Sequence, residues 1–411
     1  DISSYNAPAN ATGADITGNI SVSAVLDGCS SSPMTFDITV RPTPVITPVG
    51  DVAECPGEQV NPGSFSSNVP GSDFSWINDN TSIGLAANGV GNIVPYGAPA
   101  NISGSDIVGN IKVTAEKETC VSDTAEFSIT IRPAPVITNQ PDISVCPGEL
   151  ISPNPFVANT GGGETFDWTN SNTSIGLAAS GTGDITPYNA PANLSGSSYN
   201  GSISVTATRM TCVSSPMNFT ITVKPQPVVD SQSDISVCGG ELISVTFSGN
   251  VSGTAYSWLN SDTTIGLASS GTGNISYTAP GNATGTNNTG NIKVTGEKDG
   301  CVSDTMNFSI TVKPTPIITP SADIEVCPGE LVAPPAFTTV PGGSSFTWTN
   351  DNTGIGLSAG GSGSISSYFA PSNATGSPST GEIIVNATST GCPAIPDTFY
   401  ITVKPKPVLT D

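Results

Sequence analysis

Residues 219–225 read Phe219-Thr220-Ile221-Thr222-Val223-Lys224-Pro225. Apolar and polar side chains alternate with period two, the pattern of a strand with one buried face, and the proline closes it. Upstream lies a second alternating run, as in Ile111-Lys112-Val113-Thr114-Ala115 and Ile292-Lys293-Val294-Thr295-Gly296 of sister segments. A short stretch with a cysteine joins the two runs, so they predict an antiparallel hairpin.

The hairpin recurs. Trp76, Trp168, Trp258 and Trp348 are 92, 90 and 90 residues apart. Cys55, Cys146, Cys238 and Cys327 are spaced by 91, 92 and 89, and a second series (Cys29, Cys120, Cys212, Cys301, Cys392) by 91, 92, 89 and 91. Such a period identifies an array of one unit, here about four and a half copies of roughly 90 residues. Each copy also carries Phe-x-Trp or Tyr-x-Trp, Asn-rich turn chemistry, Ile-Gly-Leu, and then Ala-Pro-x-Asn-x-[Ser/Thr]-Gly, which starts at Ala7, Ala98, Ala190, Ala279 and Ala370. The Asn and Gly of that motif suit tight turns. Strand patterns alternating with turn signals about every 8 to 12 residues predict an all-β chain of tandem immunoglobulin-like sandwiches.

Pro-x-Pro marks each junction, at Pro42-Thr43-Pro44, Pro133-Ala134-Pro135, Pro225-Gln226-Pro227, Pro314-Thr315-Pro316 and Pro405-Lys406-Pro407. Proline pushes itself and its predecessor toward extended geometry, so these are semi-rigid spacers. The expected organisation is residues 1–44 as the C-terminal half of a repeat and 45–135, 136–227, 228–316 and 317–407 as whole repeats. Residues 408–411 would start another. At roughly 3.3 Å per strand residue, the array forms an extended rod of roughly 180 Å. Both ends fall mid-repeat, the expected look of a window on a longer array.

Composition narrows the function. Lys and Arg number 11 against 33 Asp and Glu, a net charge of -22, and histidine is absent. A polyanion does not hold nucleic acid or an anionic lipid surface by electrostatics. Without histidine there is no Ser-His-Asp triad, Cys-His pair or mixed zinc site. No run approaches the roughly 18 apolar residues of a membrane span. No catalytic residues and no cofactor are assigned, and direct membrane insertion is not expected.

Nine cysteines call for an oxidising compartment. Pairing within repeats gives Cys55–Cys120, Cys146–Cys212, Cys238–Cys301 and Cys327–Cys392, with Cys29 left over. Pairing across junctions gives Cys29–Cys55, Cys120–Cys146 and so on, with Cys392 left over. The first scheme is favoured because a sandwich gains most by stapling its own distant segments, about 4 kcal/mol for a 65-residue loop. The second stays open.

The other candidates each have a plain structural alternative. Trp76, Trp168, Trp258 and Trp348 are expected as the core aromatic of a central strand, in preference to a sugar platform. The segments Asn78-Asp79-Asn80, Asn170-Ser171-Asn172, Asn260-Ser261-Asp262 and Asn350-Asp351-Asn352 resemble a calcium loop, but their carboxylates are too few and shift position. Asp51, Asp142, Asp234 and Asp323 precede a cysteine by four residues, and Glu58, Glu149, Glu241 and Glu330 follow it by three. With Arg41, Arg132, Lys224, Lys313 and Lys404 they suggest junctional salt bridges, solvated edge charges, or an interdomain calcium held by the four aspartates. Asn10, Asn101, Asn193 and Asn282 head glycosylation sequons, which a chain so rich in Asn, Ser and Thr supplies largely by composition. Gly161-Gly162-Gly163 precedes a strand and not a helix, so it is not a phosphate cradle.

Residues 166–185 and 74–93 (Phe-x-Trp … Ile-Gly-Leu-Ala-Ala … Ile), Val-Cys-Pro-Gly-Glu at 145–149 and 326–330, and Phe-x-Ile-Thr-Val-Lys-Pro resemble the PKD-like immunoglobulin-type repeats of large bacterial surface adhesins. Those proteins are exported by the type IX secretion system and include gliding-motility adhesins. The resemblance spans the chain. It implies a β-sandwich, a bacterial cell-surface location, and a stalk or adhesive filament with multivalent weak contacts. Its partners would be neighbouring repeats of the same chain and surface glycans or other cell-surface proteins. The alternatives are an array of carbohydrate-binding modules, with Tyr96 and Tyr188 as test positions, or the spacer of a secreted hydrolase.

Overall fold

The computed structural model describes residues 1–407; the expected start of a further repeat at 408–411 lies outside the described residues. The chain is all-β with tandem immunoglobulin-like sandwiches at residues 52–131, 143–223, 235–313 and 324–403. In the first, one sheet runs Val52–Glu54, Ala125–Ile131, Ile107–Lys117, Asp73–Asn78 and Asn88–Val90, with Cys120–Val121 paired at the end of Ile107–Lys117. A short ladder of Gln59–Val60 and Tyr96–Gly97 covers its inner face. The other three repeat this order.

The alternation read from the sequence sets the burial. In Ala125–Ile131, Phe127, Ile129 and Ile131 are buried between more exposed neighbours. They pack with Trp76, Ile83, Ile111 and Val113 into a core belonging to that sandwich, and separate clusters fill the third and fourth. Ile107–Lys117 pairs antiparallel with Ala125–Ile131, from Ile107 opposite Ile131 to Val113 opposite Ala125.

The first strand breaks the pattern. Val52–Glu54 lies parallel to the closing strand, Ile129 opposite Val52 and Ile131 opposite Glu54. Ile235–Cys238 and Ile324–Val326 do the same in their sandwiches. A parallel partner runs in the same direction, so the cysteine after this strand sits at the end where the closing strand meets Pro-x-Pro. The hairpin cysteine sits at the opposite end, before the closing strand begins.

Residues 1–44 hold only the closing hairpin, Ile16–Val22 with Met34–Val40. Its apolar face is uncovered: Phe36 is 39% exposed, whereas the equivalent Phe127 is 6% exposed.

By contact density the described residues form two compact units, residues 1–145 with 149–191 and 200–222, and residues 146–148 with 192–199 and 223–407. No helix among the described residues is long and apolar enough to cross a membrane.

Candidate functional site

The recurring polar chemistry gathers where one sandwich ends and the next begins. Three devices meet there.

The first is a buried asparagine, the one in each Ala-Pro-x-Asn-x-[Ser/Thr]-Gly motif. Asn101 is 1% exposed. Its Nδ2 donates to the carbonyls of Ser105 (2.8 Å) and Ile131 (2.8 Å), and its Oδ1 accepts from the N–H (3.1 Å) and hydroxyl (2.7 Å) of Ser103. Its own carbonyl accepts from Ala134 N–H, inside Pro-x-Pro, at 3.0 Å. Asn10, Asn193, Asn282 and Asn373 repeat the arrangement. The closing strand, the turn and the linker are thus tied by one side chain whose hydrogen-bonding capacity is filled. In the folded chain these asparagines cannot serve as glycan acceptors, because both amide hydrogens are engaged and the group is buried.

The second device docks that turn on the following sandwich. Asn68 accepts from Val45 N–H (2.7 Å) and donates to the Ala11 carbonyl (3.0 Å). Asn159 does so with Val136 and Ile102, and Asn250 with Val228 and Leu194. The glycine of the motif permits the approach. At Gly104 (φ +82°) a Cβ would stand 2.5 Å from the Asn159 carbonyl oxygen, and Gly13 and Gly196 are equally tight. In the last sandwich Val340 stands at the register position of this asparagine, and the next residue, Pro341, lies 2.9 Å from a Cβ built on Gly285. Sequence reasoning passed over Asn68, Asn159 and Asn250; their recurrence 91 residues apart was the available signal.

The third device is covalent, and it overturns both expected pairings. The bridges are Cys55–Cys212, Cys146–Cys301 and Cys238–Cys392, spanning 157, 155 and 154 residues. The cysteine after the first strand of one sandwich bonds the hairpin cysteine of the next. Cys29, Cys120 and Cys327 are free. Within a sandwich the two cysteines are out of reach: Cys238 stands opposite Lys313, at the far end of the closing strand Met306–Lys313, and Cys301 lies before that strand begins. At about 3.3 Å per residue the strand alone covers roughly 23 Å, against the roughly 4.4–6.8 Å between Cα atoms that a disulfide needs. The pairing across junctions fails as well, since Cys55, Cys146 and Cys238 are bonded to Cys212, Cys301 and Cys392. Loop entropy never favoured the shorter loop, since a 155-residue loop contributes about 0.8 kcal/mol more than a 65-residue one.

The hairpin tip also takes the cation before Pro-x-Pro. Arg41 Nε lies 3.0 Å from a Glu118 carboxylate oxygen, and Lys224 Nζ donates to the Asp299 carbonyl at 2.8 Å. Lys404 instead pairs with Glu325 in its own sandwich at 2.9 Å, and this carboxylate pushes its pKa up. All are exposed, so water and salt screen them and they add little to stability.

The acidic candidates are occupied by main chain. Asp51, Asp142, Asp234 and Asp323 accept the N–H of Ser128, Thr220, Ser309 and Tyr400 at 2.7–2.8 Å. The Ser128 bond holds the Asp51 carboxyl below its usual range. Glu58, Glu241 and Glu330 accept the N–H of Cys55, Cys238 and Cys327. No three metal-ligating side chains converge among the described residues. In the calcium-like loop, Asn78 donates to Leu85 and Ala86 carbonyls, Asp79 accepts from Asn110, and Asn80 caps a short 3-10 turn.

The four tryptophans are 7–8% exposed. Each ring lies on a glycine of the adjoining strand; a Cβ at Gly89 would come within 2.1 Å of Trp76. Tyr96 and Tyr188 direct unpartnered hydroxyls into the sandwich, and burial pushes both pKa values up to about 12.

No family model and no curated protein matches the sequence. Solved structures that overlay on it include the protocadherin gammaB4 extracellular domain (TM-score 0.34, 15% identity, 96% of this chain and 72% of that one). Sidekick-1 immunoglobulin domains 1–5 overlay at 0.29 and 12% identity, covering 96% of each chain. The insect immune protein hemolin overlays at 0.27 and 14%, covering 89% of this chain and 100% of its own. Overlays this loose carry no inference about function.

Because Gly104 admits the turn onto Asn159, Gly104→Ala should loosen the junction that Cys55–Cys212 spans. The added methyl meets a backbone oxygen and a left-handed φ. Titrated with dithiothreitol, Cys55–Cys212 should open at several-fold lower reductant than in the parent, with the other two bridges unchanged. Equal midpoints would show that the turn does not hold the junction.

Proposed function

We propose that this chain is a tension-bearing stalk segment of an extracellular adhesin or surface filament, without catalysis, resembling the PKD-like repeats of type IX-secreted bacterial surface proteins. The observation that carries the reading is the disulfide register, which joins each sandwich to its successor and none to itself. A bridge inside a sandwich protects that sandwich; a bridge between sandwiches protects the array. Formation of the bridges requires an oxidising compartment, which agrees with an exported protein. The polyanionic, Ser/Thr-rich surface keeps neighbouring stalks apart. Linked weak contacts along many repeats then supply adhesion through avidity. Tyr96 and Tyr188, the positions on which a glycan-binding array would rest, turn inward, so that alternative has less support.

Small-angle scattering tests the reach. A rod of roughly 180 Å has a radius of gyration of about 50 Å, against about 22 Å for a compact globule of this length. A value near the latter overturns the stalk. Binding of a single sandwich on a glycan array would favour carbohydrate recognition instead.

A further inference from the structure

We infer that Cys29, Cys120 and Cys327 are open valences of a disulfide ladder, each built to bond a cysteine of an adjoining repeat of this same type. The inference deepens the stalk reading and rests on it.

Three closed bridges define the rule: the cysteine after the first strand of one sandwich joins the hairpin cysteine of its successor, with Cα atoms 5.4–5.6 Å apart. Under that rule Cys327 is a first-strand cysteine without a following hairpin. Cys29 and Cys120 are hairpin cysteines without a preceding first strand. All three free cysteines follow from one register; pairing within repeats would have left one.

The local geometry is that of the bonded positions. Cys327 N–H donates to Glu330 at 2.6 Å, as Cys55 and Cys238 donate to Glu58 and Glu241 at 2.9 Å, so the turn presenting the thiol is already formed. Cys120 stands opposite Lys117 at the tip of its hairpin. Cys212, Cys301 and Cys392 stand opposite Arg209, Lys298 and Ser389 in the same way. Cys29 does so opposite Leu26. Bonded hairpin cysteines are buried, at 0–1% exposure, whereas Cys29 is exposed and Cys120 partly so; among first-strand cysteines bonded Cys55 is buried and Cys146 and Cys238 are partly so, whereas Cys327 is exposed. A neighbouring sandwich therefore covers what is now open. The cation before Pro-x-Pro adds a second contact at such a junction, as Arg41 does with Glu118.

Closure is an ordinary two-electron oxidation. The Cys327 thiol and the hairpin thiol of the incoming sandwich each lose a proton. Their sulfurs form one S–S bond, and the two electrons reduce a small disulfide oxidant such as glutathione disulfide to two thiols.

The test extends the chain by a copy of residues 317–407 placed after Pro407, refolds it with a glutathione redox pair, and counts maleimide-reactive thiols. The parent should show three. The extended chain, with two more cysteines, should again show three, since Cys327 closes on the added hairpin and the added first-strand cysteine becomes the new open end. With Cys327→Ser the extended chain should show four, because the added hairpin loses its partner. A count of two in that variant means that the added sandwich bridges itself, and five in the unsubstituted extended chain means that Cys327 stays open; either overturns the ladder. Changing the added first-strand cysteine to serine instead should lower the count to two and leave Cys327 protected on peptide mapping. A labelled Cys327 there also overturns it. None of these counts bears on the radius of gyration, so failure of the ladder and failure of the stalk are separable.

Discussion

Pulled by its two ends under oxidising conditions, the chain should extend to only about 350 Å, and to about 1,400 Å once reduced, at roughly 3.5 Å per extended residue. The limit is set by the shortest covalent path. That path follows the chain from Asp1 to Cys55, crosses to Cys212, follows the chain to Cys238, crosses to Cys392 and runs on to Asp411. Only about 100 residues at roughly 3.5 Å each bear the load, in place of 411. Everything between Cys55 and Cys212 and between Cys238 and Cys392 is bypassed, so most of the sandwich fold carries no tension even when a junction tears. Single-molecule force spectroscopy with and without a reductant measures the difference. Bridges inside repeats would leave about 150 residues in the path and an oxidised limit of about 530 Å. A limit at that length, or one insensitive to reductant, would falsify the register.

Asn101→Ala should lower the melting transition of its own sandwich by about 12 °C or more, while leaving the others in place. The side chain makes four hydrogen bonds in a site 1% exposed to water. Removing it strands groups on the turn and on the closing strand, each costing about 1–3 kcal/mol when buried without a partner. A total of about 3–5 kcal/mol in a domain of roughly 90 residues corresponds to about 12–40 °C, at roughly 4–8 °C per kcal/mol. Asn101→Asp should be no milder, since a carboxylate would face the Ser105 and Ile131 carbonyls with no hydrogen to donate. Differential scanning calorimetry resolves the shifted transition. An unshifted transition for the alanine variant would mean that water replaces the amide and that the asparagine is not a structural tie.

Much of the sandwich was legible in the residues. The alternation in Phe219-Thr220-Ile221-Thr222-Val223 marks a half-buried strand because side chains of a strand point to opposite faces in turn. The recurrence of Trp76, Trp168, Trp258 and Trp348 marks the unit, since each sandwich must fill its own core. The Asn-x-[Ser/Thr]-Gly motif was legible as turn chemistry but not as a tie between strand and linker. Its Ser or Thr looks like half of a glycan acceptor, and only the fold shows that hydroxyl bonded back to the asparagine it follows. The 91-residue recurrence of Asn68 and Asn159 was visible, but its meaning was not, because the docking contact joins residues 57 apart.

What the amino-acid order determined alone is therefore local and periodic: the strands, the turns, the unit and its hydrophobic face, all of which follow from neighbours a few residues apart. Which cysteine meets which was decided only in three dimensions. The first strand lies parallel to the last, and this single choice of direction carries one thiol to the far end of its sandwich, beyond reach of its own hairpin and beside the next. Periodicity is indifferent to strand direction, because a strand alternates identically whichever way its partner runs.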